Sequence, residues 1–177
     1  LPPRSTLLAS SAASDVYNSQ VIKGMKNTRA PQVKPLDIPA DKIQEASIID
    51  IPLMDIKGTV RHLTDLKGKV VLIDFTAYGS AESGARNLLL REIYDKYASQ
   101  GLEIYQVSLD TDEHFWKTAA DNLPWICVRD PQGPYSTYVR LYGVTQLPTA
   151  FLVGRNNELN MRIGPKTDLE EAIKKLL

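Results

Sequence analysis

Two serines three positions apart, Ser80 and Ser83, stand in the segment Ala77-Tyr78-Gly79-Ser80-Ala81-Glu82-Ser83, just after an apolar run that contains one carboxylate, Asp74. Two hydroxyls and an acid are parts of a nucleophilic site. Such a site also needs a base within reach of the hydroxyl and donors for the developing oxyanion. The segment offers no G-x-S-x-G elbow and no neighbouring histidine. A plainer reading makes Ser80 the cap at the start of a helix, accepting a backbone N–H. Glu82 then complements the positive helix end, and Asp74 is an acid satisfied by hydrogen bonds inside its strand.

The other reactive side chains are few. Cys127 is the single cysteine of the 177 residues, so no disulfide forms within the chain and no four-cysteine metal site exists. It stands in the apolar stretch Trp125-Ile126-Cys127-Val128, which reads as a buried structural thiol. His62 and His114 lack metal-ligand spacing, so no metal or cofactor is expected. His114-Phe115-Trp116 reads as packing at the start of a helix rather than as a ligand set. Lys plus Arg and Asp plus Glu both number 21, and no basic cluster is interleaved with aromatics. That balance gives no electrostatic case for nucleic acid as a partner. No apolar run approaches the length needed to span a bilayer, and no signal peptide is visible. Oligomeric state is not legible.

These residues must be positioned by regular elements, and the pattern supplies them from residue 48 onward. Residues 1–47 read as an N-terminal helical extension, with a helix over 4–28, followed by a linker punctuated by Pro31, Pro35 and Pro39. Ile48–Asp55 and Thr59–Leu63 read as strands about the Lys57-Gly58 turn. Val70-Val71-Leu72-Ile73 and Phe75 form an apolar run suited to a strand buried on both faces. A helix is predicted from Ser83 to Ser99, with Leu89, Leu90, Ile93, Tyr94 and Tyr97 as its apolar stripe and Gly101 as its stop. Leu102–Leu109 reads as a strand, and Asp110 to Glu113 as cap residues for a helix through Ala120. A short strand at Trp125–Arg129, a helix at Tyr135–Tyr142 and a hairpin of Thr149–Val153 with Glu158–Ile163 follow. Thr167 with Glu170 reads as a capping box for the last helix, with Leu169, Ile173 and Leu176 facing inward. Strands alternating with helices, closed by a hairpin, imply an α/β domain over residues 48–177 with a mixed sheet flanked by helices.

Four stretches resemble the thioredoxin superfamily, in its TlpA/ResA-like branch of AhpC/TSA type. Gly68-Lys69-Val70-Val71-Leu72-Ile73-Asp74-Phe75 resembles the strand leading to that family's active site. Ala77 to Ser83 stands where the family writes A-x-W-C-x-x-C. Tyr142-Gly143-Val144-Thr145-Gln146-Leu147-Pro148-Thr149 resembles the segment holding its cis-proline, and Asp130-Pro131-Gln132-Gly133 resembles an insertion loop of the branch.

The resemblance implies a thioredoxin-like fold and a thiol-disulfide oxidoreductase ancestry. It places Ser80 and Ser83 at the two cysteine positions, gives Asp74 the place of a buried acid that assists proton transfer, and offers an extended polypeptide the backbone at Leu147 and Pro148. It also implies a bacterial periplasm or envelope location. Disulfide exchange needs a thiolate attacking sulfur. Two hydroxyls cannot do this, so the chain is expected to be inert as a reductase. Two readings stay open: a redox-inactive binding or interaction module, or an active oxidoreductase present as a Cys-to-Ser variant. Gly79 in place of tryptophan, and Glu82, favour natural divergence, since a trapping variant changes only the sulfurs.

Overall fold

The computed structural model describes residues 46–177; the helix expected over residues 4–28 lies outside them. Eight strands form one mixed sheet. In chain order they are β1 (Ala46–Ser47), β2 (Leu53–Asp55), β3 (Val60–Arg61), β4 (Val70–Thr76), β5 (Leu102–Ser108), β6 (Ile126–Arg129), β7 (Thr149–Val153) and β8 (Glu158–Ile163). The helices are α1 (Ser83–Tyr97), α2 (Glu113–Ala120), α3 (Thr137–Leu141) and α4 (Leu169–Leu176). The strand order across the sheet is β1-β8-β7-β4-β5-β6-β2-β3. β4, β5 and β6 run parallel, and β7, β8, β1 and the β2–β3 hairpin pair antiparallel around them.

β4 is central because its residues are apolar on both sides, and every one of them is buried. Side chains alternate along a strand. Val71, Ile73 and Phe75 therefore enter one core layer with Tyr105, Tyr142, Phe151 and Val139 of α3. Val70 and Leu72 enter the other with Leu90 and Ile93 of α1, Trp116 of α2 and Ile173 of α4. Asp74 shares the parity of Leu72, which aims it at the α1 side of the sheet.

Several local expectations change. Three successive leucines open the middle of α1, and at about 100° per residue they cannot all face the sheet. Leu90 does, whereas Leu88 and Leu89 are exposed at 67% and 45%; Leu89 therefore leaves the predicted stripe. The last helix is capped one position later than predicted. Asp168 accepts from the Glu171 N–H at 3.1 Å, while Thr167 Oγ1 accepts from the Gly164 N–H at 3.0 Å. The helix read as Tyr135–Tyr142 is a short 3₁₀ turn at Gly133–Tyr135 followed by α3, because Ser136 caps the Tyr138 N–H.

Candidate functional site

The parallel strands β4, β5 and β6 end together, and the loops that leave them carry the residues singled out by the sequence. Thr76 pairs with Ser108 and Ser108 with Arg129, so residues 77–82, 109–112 and 130–136 emerge side by side. β7 runs the other way, and Thr149 pairs with Phe75. Leu147 and Pro148 therefore arrive at the same edge. Their peptide bond is cis.

The Ala77–Ser80 segment is a turn: the Ser80 N–H donates to the Ala77 carbonyl at 3.0 Å, and the Ser83 N–H to the Ser80 carbonyl at 3.3 Å. α1 begins at Ser83, with Glu82 in the cap position and no side-chain cap bond. Ser80 is therefore not the N-cap; it lies in the preceding turn, where the backbone already folds back on itself. The buried Ser83 hydroxyl donates to the carbonyls of Tyr78 and Ser80, at 2.9 and 3.0 Å. It holds the turn to the helix, and no base is among its partners. Glu82 Oε2 is buried without a hydrogen-bond partner among the described residues. A carboxylate there opposes any thiolate nearby.

Asp74 is fully buried and fully partnered. One oxygen accepts from Arg86 Nη2 at 2.6 Å and Nε at 3.2 Å, and the other from Gln106 Nε2 at 2.9 Å. Gln106, also at 0% exposure, is the hub of this layer. Its carbonyl oxygen accepts from the Tyr78 hydroxyl at 2.6 Å and the Trp125 indole at 2.9 Å, and its amide also donates to Asn87 at 2.8 Å. Cys127 lies against the same oxygen at 3.9 Å, and burial pushes its thiol up to about 11. Burial also raises the Tyr78 phenol well above its ordinary range. Both groups are neutral near pH 7. The network is a largely buried polar seam, and the hydrogen bonds of its acid go to Arg86 and Gln106 rather than to either serine.

Two residues of this region were not singled out for function by the sequence. Gln106 had one available signal, an amide in the middle of a strand whose neighbours are apolar. Asp110, read as a cap residue, does not cap α2; Asp112 does, accepting from the Phe115 N–H at 2.9 Å. Asp110 instead holds the motif turn. Its carboxylate accepts from the Tyr78 N–H at 2.7 Å, the Gly79 N–H at 3.1 Å and the Ser108 hydroxyl at 2.6 Å. Its role depends on β4 and β5 being neighbours, which no local pattern discloses. His62 and His114 stay apart: His62 Nδ1 lies 2.8 Å from Asp50 Oδ2, while His114 is exposed on α2. Among the described residues no group of three or more His, Cys, Asp or Glu side chains could hold a metal ion. No described helix is long and apolar enough to cross a membrane.

Comparison with known proteins agrees with this architecture. Residues 68–159 match the family model described as thioredoxin-like. The chain is 30% identical over 131 residues to the thiol-disulfide oxidoreductase ResA of Bacillus thuringiensis subsp. konkukian, covering 69% of this chain and 72% of that protein. To ResA of Geobacillus thermodenitrificans it is 30% identical over 132 residues, covering 72% of each. Among solved structures, a thioredoxin-like protein from Bacteroides vulgatus superposes with a TM-score of 0.70 at 69% identity, covering 81% of this chain and 94% of that one. A thiol-disulfide oxidoreductase from Bacteroides fragilis superposes at 0.68 with 25% identity, covering 75% and 100%. With its sheet order, its motif turn and these relatives taken together, the chain belongs to the thioredoxin superfamily, in the TlpA/ResA-like branch of thiol-disulfide oxidoreductases.

Proposed function

We propose that this chain is a redox-inactive member of its family, a binding module of the bacterial envelope that takes an extended polypeptide along the Leu147-Pro148 loop. The observation that carries the first half is the pair of hydroxyls at the motif turn. Ser83 spends its only proton on backbone carbonyls, Ser80 has no sulfur to offer, and the one thiol of the chain is buried on β6. Electron exchange between thiols needs a thiolate that attacks and a sulfur that accepts.

The peptide-binding half rests on the backbone at Leu147. The residue is half-buried, and neither its N–H nor its carbonyl makes a hydrogen bond among the described residues. A donor and an acceptor left unpaired at a sheet end are what an extended segment pairs with. The envelope location is carried over from the family resemblance.

Two measurements test the reading. Insulin reduction driven by dithiothreitol is expected to run at the uncatalysed rate with this chain present, and turnover above it would end the inactive reading. Titration of the isotope-labelled chain with unstructured peptides should move the Leu147 amide signal, and no movement with any of them would end the binding reading.

A further inference from the structure

Two leucines of α1 face water. Leu88 is 67% exposed, more than any other large apolar side chain of the described residues, and Leu89 is 45% exposed. Gly84 and Ala85 are exposed one turn earlier, and a Cβ added at Gly84 would meet nothing within 4 Å. Residues three and four apart are neighbours on a helix surface. Gly84, Ala85, Leu88 and Leu89 therefore form one outward apolar strip, small at its start and large at its end. Exposed Glu92 and Asp95 continue it. Neither acid has an ion pair among the described residues. The cations beside them in sequence are engaged elsewhere, Arg91 with the Asn122 carbonyl at 2.9 Å and Lys96 with Glu170 at 3.3 Å.

A segment of complementary pattern belongs to the same chain. The helix read over residues 4–28 puts Leu7, Ser10, Ser14, Tyr17, Val21 and Met25 on one face, at steps of three and four. Such steps suit two helices packed side by side. Lys23, Lys26, Arg29 and Lys34 follow, and no acid occurs from Val16 to Leu36. The segment is thus positive where the strip on α1 turns negative. The point of entry agrees. Ala46 and Ser47 pair with Leu159 and Glu158, beside the turn that joins β7 to β8. Arg155 of that turn donates to the carbonyl of Gln100, just beyond α1. The chain therefore enters the sheet at the pole where α1 ends. Three to four strand spacings separate β1 from β4 and β5, which α1 covers. That is about 15 to 20 Å, and two helix layers add about 8 to 10 Å each. Residues 29–45 reach about 55 Å when extended, which is ample.

We propose that residues 4–28 dock along the outer face of α1, parallel to it, with Tyr17 and Val21 level with Ala85 and Leu89. Lys23 and Lys26 then stand within a turn of Glu92 and Asp95, and both leucines leave water. The tyrosine ring comes over the two smallest residues of the strip. Tethering raises the local concentration of the segment, so a strip of this size is enough to hold it. The residues before Asp15 project past the start of α1, beside the turn that carries Ser80.

The test is paramagnetic relaxation in the full chain carrying Cys127→Ala, with a nitroxide on Gln20→Cys at the flank of the apolar face. The amide signals of Leu88, Leu89 and Glu92 are expected to lose more than half their intensity. Those of Val60 and Arg61, at the far edge of the sheet, should keep theirs. A nitroxide on Asn27→Cys should act most on Asp95 and Gln100, and one on Ser11→Cys most on Ser80 and Ala81; the reverse order would overturn the parallel docking. Leu88→Lys is expected to abolish the losses caused from position 20 while the amide spectrum away from α1 stays unchanged. Losses that survive it would overturn the strip as the contact. Glu92→Lys should at least halve the losses and Lys23→Glu added to it should restore them, whereas indifference to Glu92→Lys would overturn the charge-matched register. Losses in isotope-labelled chain without nitroxide, mixed with nitroxide-bearing chain without isotope, would assign the strip to a second copy instead. Full intensity on α1 with every label would overturn the docking altogether.

Discussion

Asp74 lies 2.6 Å from the guanidinium of Arg86 with its carboxylate entirely out of water, while the arginine keeps 18% of its side chain exposed. A buried carboxylate is tolerated when a cation and hydrogen bonds replace its water, and removing one partner alone leaves the other uncompensated. Arg86→Met is therefore expected to lower stability by about 3 to 5 kcal/mol. Asp74→Asn together with Arg86→Met should cost clearly less than Arg86→Met alone. Urea unfolding of the two variants checks this; equal losses would show that the pair is not what holds the acid.

The Ser83 hydroxyl ties the motif turn to the first turn of α1. Ser83→Ala is expected to cost about 1 kcal/mol, the size of one ordinary buried hydrogen bond, read from the urea midpoint. Replacing both hydroxyls by thiols keeps the spacing of the family motif. The Ser80→Cys, Ser83→Cys variant, air-oxidised and then unfolded, should titrate with one free thiol, that of Cys127. Three free thiols would mean that the turn no longer brings positions 80 and 83 into bonding distance.

Cys127 supplies a pH test. Burial raises its thiol from 9.0 to about 11, so above pH 9 the unfolded chain sheds this proton while the folded chain keeps it. The unfolded state then binds fewer protons, and stability falls as pH rises from about 9 toward 11. The share of this one group is on the order of 2 kcal/mol. Cys127→Ala should flatten the fall, and iodoacetamide at pH 8 should label the native chain at least a hundredfold more slowly than the unfolded one.

The clasp between Asp50 and His62 titrates at the other end of the scale. Burial alone would raise the Asp50 carboxyl, but the bond to His62 and the N–H donors of Thr64 and Ile51 outweigh it and hold it below 3.8. The same bond raises His62 above 6.5. The histidine contribution is complete below pH 6.5 and is lost as pH rises through its raised value. The aspartate contribution is complete above 3.8 and is lost as pH falls. The clasp is therefore firmest between these limits. A proton titration of the His62 ring should give a value above 6.5 that drops toward it in Asp50→Asn.

The frame of this domain is legible in its sequence because each large element carries its own evidence. The run Val70–Phe75, short and rich in β-branched residues, reads as a strand covered on both faces, and the polar turn at Arg155-Asn156-Asn157 between two apolar runs gives the hairpin with the bounds later seen for β7 and β8. What was misread depends on neighbours in space. Leu89 fits a helical stripe by spacing but faces away once Leu90 has chosen the sheet. Ser80 has the chemistry of a cap, yet the backbone turns before the helix begins. Asp110 has the same cap chemistry, and only the adjacency of β4 and β5 turns it toward Tyr78 and Gly79. The seam around Gln106 joins residues from β4, β5, α1 and the start of β6, a set no single window contains.

At the far end of the sheet from the serines, Arg155 donates to the carbonyls of Gly68 and Gln100 at 2.9 and 3.1 Å, and its own carbonyl accepts from the Gly68 N–H. The guanidinium reaches so close that a Cβ on Gly101 would stand 2.8 Å from it, and Gly101 holds φ at 109°. Three turns, those entering β4, leaving α1 and joining β7 to β8, are thus riveted at one pole, while the loops that carry Ser80, Ser83 and Leu147 hang from the opposite one. A change of side chain at Ser80 or Ser83 touches none of those rivets. The loops at that second pole can therefore vary in their side chains while the frame that carries them stays fastened.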